Sequence, residues 1–203
     1  CAELNGGTHM SFEDVAIMRS IPGMVVFEPT DSVQLKKLFP QIIEHYGPVY
    51  IRLFRKNAWS IFGESDSFTL GNGCLLRHGS EVTLFASGIM VKEALEAAEQ
   101  LAGQGISAEV INLHTIKPLD SELVLASVTK TGCCVTAENA NIIGGLGSAV
   151  SECVSGGAPC PVLRVGVEDR FGEVGKMDYL QKELHLTAAN IVQKAKEAVA
   201  LKR

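Results

Sequence analysis

The chain lacks any apolar run approaching the roughly 20 residues that a membrane-spanning helix needs, and no signal-type charged and apolar regions precede its first glycine loop. That argues against a membrane span, and the simplest address is the cytosol. Basic clusters are missing as well. The 18 Lys and Arg are scattered among 23 Asp and Glu, for a net charge of −5, so there is no electrostatic footprint for nucleic acid. A P-loop, a His/Cys metal set, a G-x-S-x-G elbow and a G-D-G metal-diphosphate signature are all absent. By itself, then, the chain has no self-contained catalytic apparatus. The six cysteines, Cys1, Cys74, Cys133, Cys134, Cys153 and Cys160, show no metal-ligand spacing. Cys133 and Cys134 lie in an apolar run where thiols pack as small hydrophobes, and the set reads as reduced and structural.

What is present reads as an α/β core. Hydrophobic residues make up 46% of the 203 positions and aromatics only 6%, a balance of Val, Ile, Leu and Ala that suits buried strands covered by helices. Ser11-Phe12-Glu13-Asp14 resembles a capping box with Asp in place of Glu, opening a short helix stopped at Pro22-Gly23. A buried strand at Met24-Val25-Val26-Phe27 follows. Pro29-Thr30-Asp31 caps a helix from Ser32 to Tyr46, in which Pro40 predicts a break or kink, and Val49 to Leu53 reads as a strand. This α-β-α-β order has no strand before its first helix, so its opening strands are expected elsewhere. With no initiator Met, the chain reads as beginning inside a loop and as part of a longer polypeptide.

Periodicity fades from Lys56 to Asp66 and then resumes. Phe68 to Arg77, turning at Gly71-Asn72-Gly73, predicts a hairpin. Strands at 82–86, 108–113, 133–137 and 162–165 alternate with helices at 91–102, 120–129, 146–154 and 188–200, the last capped by Thr187. The expectation is a mostly parallel sheet with one antiparallel edge strand.

Three stretches could carry chemistry. His9 sits between flexible glycines and a helix start, where an anion or an oxygen-rich ligand is favoured, although a histidine there can equally pack or cap. Arg55 follows the strand beginning at Val49, and ligands of parallel sheets collect beyond carboxyl ends. A guanidinium there can grip a phosphate, or it can be an ordinary surface arginine. Arg52, inside that strand by alternation, reads as structural. Gly144-Gly145-Leu146-Gly147-Ser148 fits a dinucleotide fingerprint poorly, since its third glycine is absent and Glu138 to Ile143 separate it from the strand; tight helix packing is the expected role. Asp169-Arg170-Phe171-Gly172-Glu173 reads as a solvated or ion-paired turn.

The stretches "GGTHMSFEDVAIMRSIPGMVVFEPTD", "GPVYIRLFRKNA", "VINLHTIKPLD", "VTAENANIIGGLGSAV" and "RVGVEDRFGE" together resemble the carboxyl-terminal part of transketolases, particularly the small subunit of the split bacterial type. Deoxyxylulose-5-phosphate synthases and the beta subunits of 2-oxo acid dehydrogenases share much of this pattern. The resemblance implies a partial pyrimidine-binding-type α/β domain over residues 1–62, followed by a transketolase C-terminal-type α/β domain over residues 63–203. It implies transfer of a two-carbon ketol unit between sugar phosphates with thiamine diphosphate and Mg²⁺, the cofactor supplying the hard chemistry and the protein orienting it. His9 matches the family histidine that contacts substrate oxygens near the reacting carbons, and Arg55 matches the arginine that binds substrate phosphate. Where the family commonly reads E-D-G-P-T-H, this chain has Leu4-Asn5-Gly6-Gly7-Thr8-His9. Asn5 thus replaces a sugar-binding aspartate, keeping a hydrogen-bonding carbonyl but losing the charge. The cofactor-binding residues are expected in absent segments and in an amino-terminal, diphosphate-binding partner subunit, within a homodimer or heterotetramer. No cofactor is expected on this chain alone, and a non-catalytic assembly module is the alternative to an enzyme component.

Overall fold

The computed structural model describes residues 11–55 and 58–202, so His9 and Asn5 lie outside the described residues. The first helix, α1 (Asp14–Ser20), begins without a side-chain cap. Ser11 Oγ accepts the Glu13 amide at 3.1 Å and donates to the Glu13 carboxylate at 2.6 Å. The expected capping box is therefore corrected: the turn closes one residue early, and Asp14 is left free for a more distant partner. Strand β1 (Val25–Phe27) follows, and then Asp31 caps α2 (Ser32–Glu44). One Asp31 oxygen accepts the Gln34 amide at 2.9 Å, and the other accepts the amides of Ile61 and Phe62 at 2.8 and 2.9 Å, tying down the aperiodic stretch. Helix α2 runs on past Pro40 without the predicted break. Leu38 and Ile42 are buried on either side of it, and the Gln41 amide grips the backbone of Phe68 and Leu70 at 2.8 and 2.9 Å, which offsets the lost helical hydrogen bond. Strand β2 (Val49–Ile51) then lies parallel to β1.

The second series comprises β3 (Cys74–Arg77), β4 (Val82–Ala86), α3 (Met90–Ala102), β5 (Ala108–Asn112), β6 (Thr115–Lys117) and α4 (Ser121–Thr131). It continues with β7 (Cys134–Asn141), α5 (Leu146–Gly157), β8 (Val162–Val167), α6 (Met177–Glu183) and α7 (Ala188–Ala200). The larger sheet has the order β3-β5-β4-β7-β8, parallel except for the antiparallel edge strand β3. Its centre is covered on both faces, as a parallel sheet requires. Val82, Leu84 and Ala86 pack with α3 and α7 on one side, and Phe85 packs with residues of α4 and α5 on the other. Strand β6 leaves this sheet and pairs antiparallel with β1, giving a second sheet of order β2-β1-β6. Residues from both halves of the chain thus share one sheet.

The predicted hairpin over 68–77 does not form. Phe68 and Leu70 are held by Gln41, and the Gly71 amide donates to Thr115 Oγ1 at 3.1 Å, so β3 pairs with β5 instead. Strand β6 and helix α6 are absent from the sequence expectation, and β7 runs four residues further than predicted, because Glu138, Asn139 and Asn141 are polar yet buried.

The glycine run before α5 serves an internal anion. Glu138 accepts the Leu146 and Gly147 amides at 2.7 and 2.8 Å, placing a carboxylate at the helix N-terminus. A Cβ on Gly145 would lie 1.9 Å from a Glu138 oxygen, and one on Gly147 would lie 2.8 Å from Thr136 Oγ1. Burial pushes the Glu138 carboxyl up to about 7; the two amide donors pull it back, Glu28 adds to the rise and Arg52 opposes it. His114, just beyond β5, is fully buried between the rings of Phe27 and Phe68, edge-on to each. Its Nδ1 lies 3.0 Å from Thr115 Oγ1, and burial pushes its pKa down to about 4.

The Gly145→Ala variant is expected to lose about 2–3 kcal/mol in urea unfolding, because the new methyl meets the Glu138 carboxylate with no room to shift. The two buried titrations act in opposite directions. His114 binds its proton more readily in the unfolded chain, so it makes stability rise with pH between about 4 and its ordinary 6.5. Glu138 holds its proton longer in the folded chain, so it makes stability fall between its ordinary 4.5 and about 7. Urea midpoints taken from pH 4 to 8 are expected to vary little in the wild type. In His114→Gln they fall with pH, and in Glu138→Gln they rise, each slope approaching about 1.4 kcal/mol per pH unit.

Candidate functional site

The carboxyl ends of β1, β2 and β4 converge, and the residue immediately after each strand is polar: Glu28, Arg52 and Ser87. Arg52 still donates its amide to the Phe27 carbonyl at 2.8 Å, which aims its side chain back toward Glu28 and α1. The guanidinium reaches three acceptors on two segments. Its Nε donates to Asp14 Oδ2 at 2.8 Å, Nη1 to Glu28 Oε1 at 2.6 Å, and Nη2 to the Ser11 carbonyl at 3.4 Å. Glu28 accepts the Ser87 hydroxyl on its other oxygen at 2.6 Å, which joins the two sheets through one carboxylate. Tyr50 donates to Asp14 Oδ2 at 2.8 Å.

The cluster is dry enough for charge to matter. The side chains of Arg52, Asp14 and Glu28 are 12%, 14% and 6% exposed. Burial works against the Arg52 charge, but Glu28 and then Asp14 more than offset it, so the guanidinium stays firmly protonated. Burial, together with the hydrogen bond to Asp14, pushes the Tyr50 phenol up to about 12. Gly88, at φ +52°, is required where Glu28 passes: a Cβ there would lie 2.7 Å from the Glu28 carboxyl carbon.

Above the cluster lies a cavity of about 310 Å³, lined in part by Ser11, Phe12, Pro29, Phe54, Ile89 and Asn139. Of the expected site residues, Arg55 is exposed on the turn leaving β2, three positions past Arg52, and among the described residues it pairs with no carboxylate. His9 and Asn5 fall outside the described residues, two and six positions before Ser11. Arg52 is structural, as its pattern suggested, though it stands just past the strand and not within it. Glu28, Asp14 and Ser87 were missed. A charged residue directly after the apolar run Met24–Phe27 was the signal available for Glu28. The Asp169–Glu173 loop is ion-paired: Arg170 reaches both Glu173 and Glu183. No described group of three or more His, Cys, Asp or Glu could hold a metal ion, and the α5 N-terminus is filled by Glu138. The described residues therefore do not fit a diphosphate with its metal.

A family profile for the transketolase pyrimidine binding domain matches residues 2–59, and one for the transketolase C-terminal domain matches residues 71–191. The chain is 62% identical over 201 residues to a 6-deoxy-6-sulfo-D-fructose transketolase subunit of Clostridium sp. strain MSTE9, covering 99% of this chain and 62% of that protein. It is 37% identical to a 1-deoxy-D-xylulose-5-phosphate synthase of Heliobacterium modesticaldum, covering 95% of this chain and 30% of the relative. Among solved structures, a split-gene transketolase described as an inactive beta4 tetramer superposes with a TM-score of 0.92 at 43% identity, over 97% of this chain and 64% of that one. The chain thus spans less than two thirds of the length of these relatives. Two domain matches in order, on a fold shared with a solved split-gene enzyme, establish that this chain belongs to the transketolase family.

Proposed function

We propose that the chain is the carboxyl-terminal component of a split transketolase that moves a two-carbon ketol unit between sugar phosphates, and that it needs an amino-terminal partner subunit to do so. The observation that carries this reading is the 62% identity, across 99% of this chain, to a protein named as a transketolase subunit. Residues 1–62 form the second part of the pyrimidine-binding domain and residues 63–203 the C-terminal domain, with β6 reaching back across that boundary. Thiamine diphosphate dependence comes with the family. Because the described residues offer no metal or diphosphate site, that site is assigned to the partner and to segments outside this chain, with Mg²⁺ as the metal. The complete enzyme is a homodimer or heterotetramer in the cytoplasm, and no described helix is long and apolar enough to cross a membrane.

Within that site this chain binds and orients. Arg55, free of carboxylate partners, takes the terminal oxoanion of the sugar; His9 contacts the oxygens beside the reacting carbons; Asn5 meets a sugar hydroxyl without a charge. A second reading concerns the oxoanion itself. The 62% identical relative is named for a sulfo-sugar, and a sulfonate offers Arg55 the same tetrahedral oxygens as a phosphate with less charge.

The subunit mixed with its partner, thiamine diphosphate and Mg²⁺ is expected to transfer ketol units. Arg55→Ala is expected to raise KM for the anionic sugar about 10–100-fold with kcat little changed, and His9→Ala to lower kcat about 100-fold. Steady-state kinetics with both variants indistinguishable from wild type would overturn the site assignment. Running the same assay with 6-phospho and 6-sulfo ketoses separates the two oxoanion readings, and release of carbon dioxide from pyruvate would mark a deoxyxylulose-phosphate synthase instead. Calorimetry on this chain alone should detect no micromolar binding of thiamine diphosphate; such binding would sink the division of labour between subunits.

A further inference from the structure

Buried ion clusters are weak stabilisers, because desolvating two carboxylates and a guanidinium consumes most of their mutual attraction, and well-packed apolar side chains often do as well. What such a cluster supplies is geometry: a guanidinium has five donors in a fixed fork and accepts few arrangements of its partners. Arg52 spends that fork on three segments that are distant in sequence. The Ser11 carbonyl and Asp14 bracket the start of α1, Glu28 ends β1, and through Glu28 the hydroxyl of Ser87 ends β4. Two of these points lie close in sequence to candidate site residues. Ser11 follows His9 by two residues, and Arg52 itself precedes Arg55 by three.

Resting on the functional reading above, we propose that Arg52 is the positioning residue of this half-site: it locks the start of α1 and the turn on which Arg55 leaves to a single carboxylate bridge between the two sheets. In this role Arg52 acts through the segments it holds, its own donors being taken by protein acceptors. It is walled off on one side by Asp14 and Glu28, and its remaining face borders the cavity of about 310 Å³. Two further details show that the bridge demands its present geometry. Asp14 Oδ2 takes both the Arg52 and Tyr50 donors while its buried Oδ1 has no partner, an arrangement that favours orientation over full hydrogen-bond satisfaction. Gly88 leaves room for the Glu28 carboxyl where it lies, since a Cβ would come within 2.7–2.9 Å of three Glu28 atoms.

The test is a double-mutant cycle in the assembled enzyme combined with amide exchange on the full subunit. Arg52→Lys keeps the charge but reaches only one carboxylate. It is expected to lower kcat/KM for the anionic sugar about 10-fold or more, while the Arg52→Lys/Arg55→Ala double variant loses little beyond Arg55→Ala alone, because the two changes disable one function. In the exchange experiment, Arg52→Lys should speed amides at 11–15, 52–55 and 86–90 together and leave α7 unchanged. Additive losses in the cycle, or faster exchange confined to β2 or spread through the whole core, would overturn the proposal. Glu28→Gln, which preserves shape but removes the bridging charge, should reproduce the same three-segment exchange pattern; wild-type exchange there would count against the bridge. If the wild-type assembly transfers no ketol unit, it is the functional reading that fails, and the exchange patterns still decide whether Arg52 holds the three segments.

Discussion

The Glu28 carboxylate is the contact on which the arrangement of the chain turns. It takes a guanidinium on one oxygen and a hydroxyl on the other, and these two donors belong to different sheets. A carboxylate buried this deeply is tolerable only when both oxygens are engaged, because an unpaired buried charge costs several kcal/mol. Displacing either sheet would leave Glu28 half satisfied, so the electrostatics resist independent movement of the two units. Strand β6 acts in the same direction. It is provided by the second half of the chain and pairs with β1, while the Lys117 ammonium donates to the carbonyls of Arg19 and Ile21 at 2.8 and 2.6 Å. The convergence of strand ends that forms the cavity is therefore held by a charge bridge at its floor and a hydrogen-bonded strand behind it.

A similar logic operates at α5. Helix N-termini preceded by glycine often await a phosphate, yet here the four-residue turn delivers Glu138 from the preceding strand into that position. The site is already filled by the protein's own anion, and Gly145 has no side chain because none would fit beside it. The resulting carboxyl sits close enough to Glu28 and Arg52 for all three to influence one another. Its protonation near neutral pH relieves the crowding of negative charge at the junction of the sheets.

How much of this could be read in the sequence depends on which interactions specify each element. Strand β4, helix α3 with Gly103 behind it, and helix α7 with its Thr187 cap emerge at their predicted places, since local signals suffice: a continuous apolar run, a 3.6-residue period, a hydroxyl at the cap. The hairpin at 68–77 failed because Asn-Gly chemistry was outweighed by the Gln41 side chain, 27 residues upstream of Phe68. Strand β7 was cut short because Glu138 and Asn139 look like loop residues; their burial, and for Glu138 the amides that open α5, make them strand residues. The site behaved in the same way. Arg55 stands exposed just beyond β2, the position that its place in the sequence anticipates. Asp14, Glu28 and Ser87 were not, because each is defined by a partner 24 to 59 positions away. Long-range polar contacts leave no periodicity behind.

The same contacts constrain how the site can meet an anionic substrate. Arg52 is the one cation among the described residues lining the cavity, and it is already committed to two carboxylates at 2.6 and 2.8 Å. An incoming oxoanion would have to compete with Glu28 and Asp14 for it, and would meet their net negative charge in a poorly screened setting. The floor of the cavity therefore disfavours an anion and suits an uncharged polar group. Arg55, three residues past Arg52 and outside the cavity lining, is exposed with no described carboxylate beside it. Under the proposed function, an anionic sugar would therefore be oriented by contrast, its anion toward the exposed Arg55 and its uncharged end toward the cavity floor.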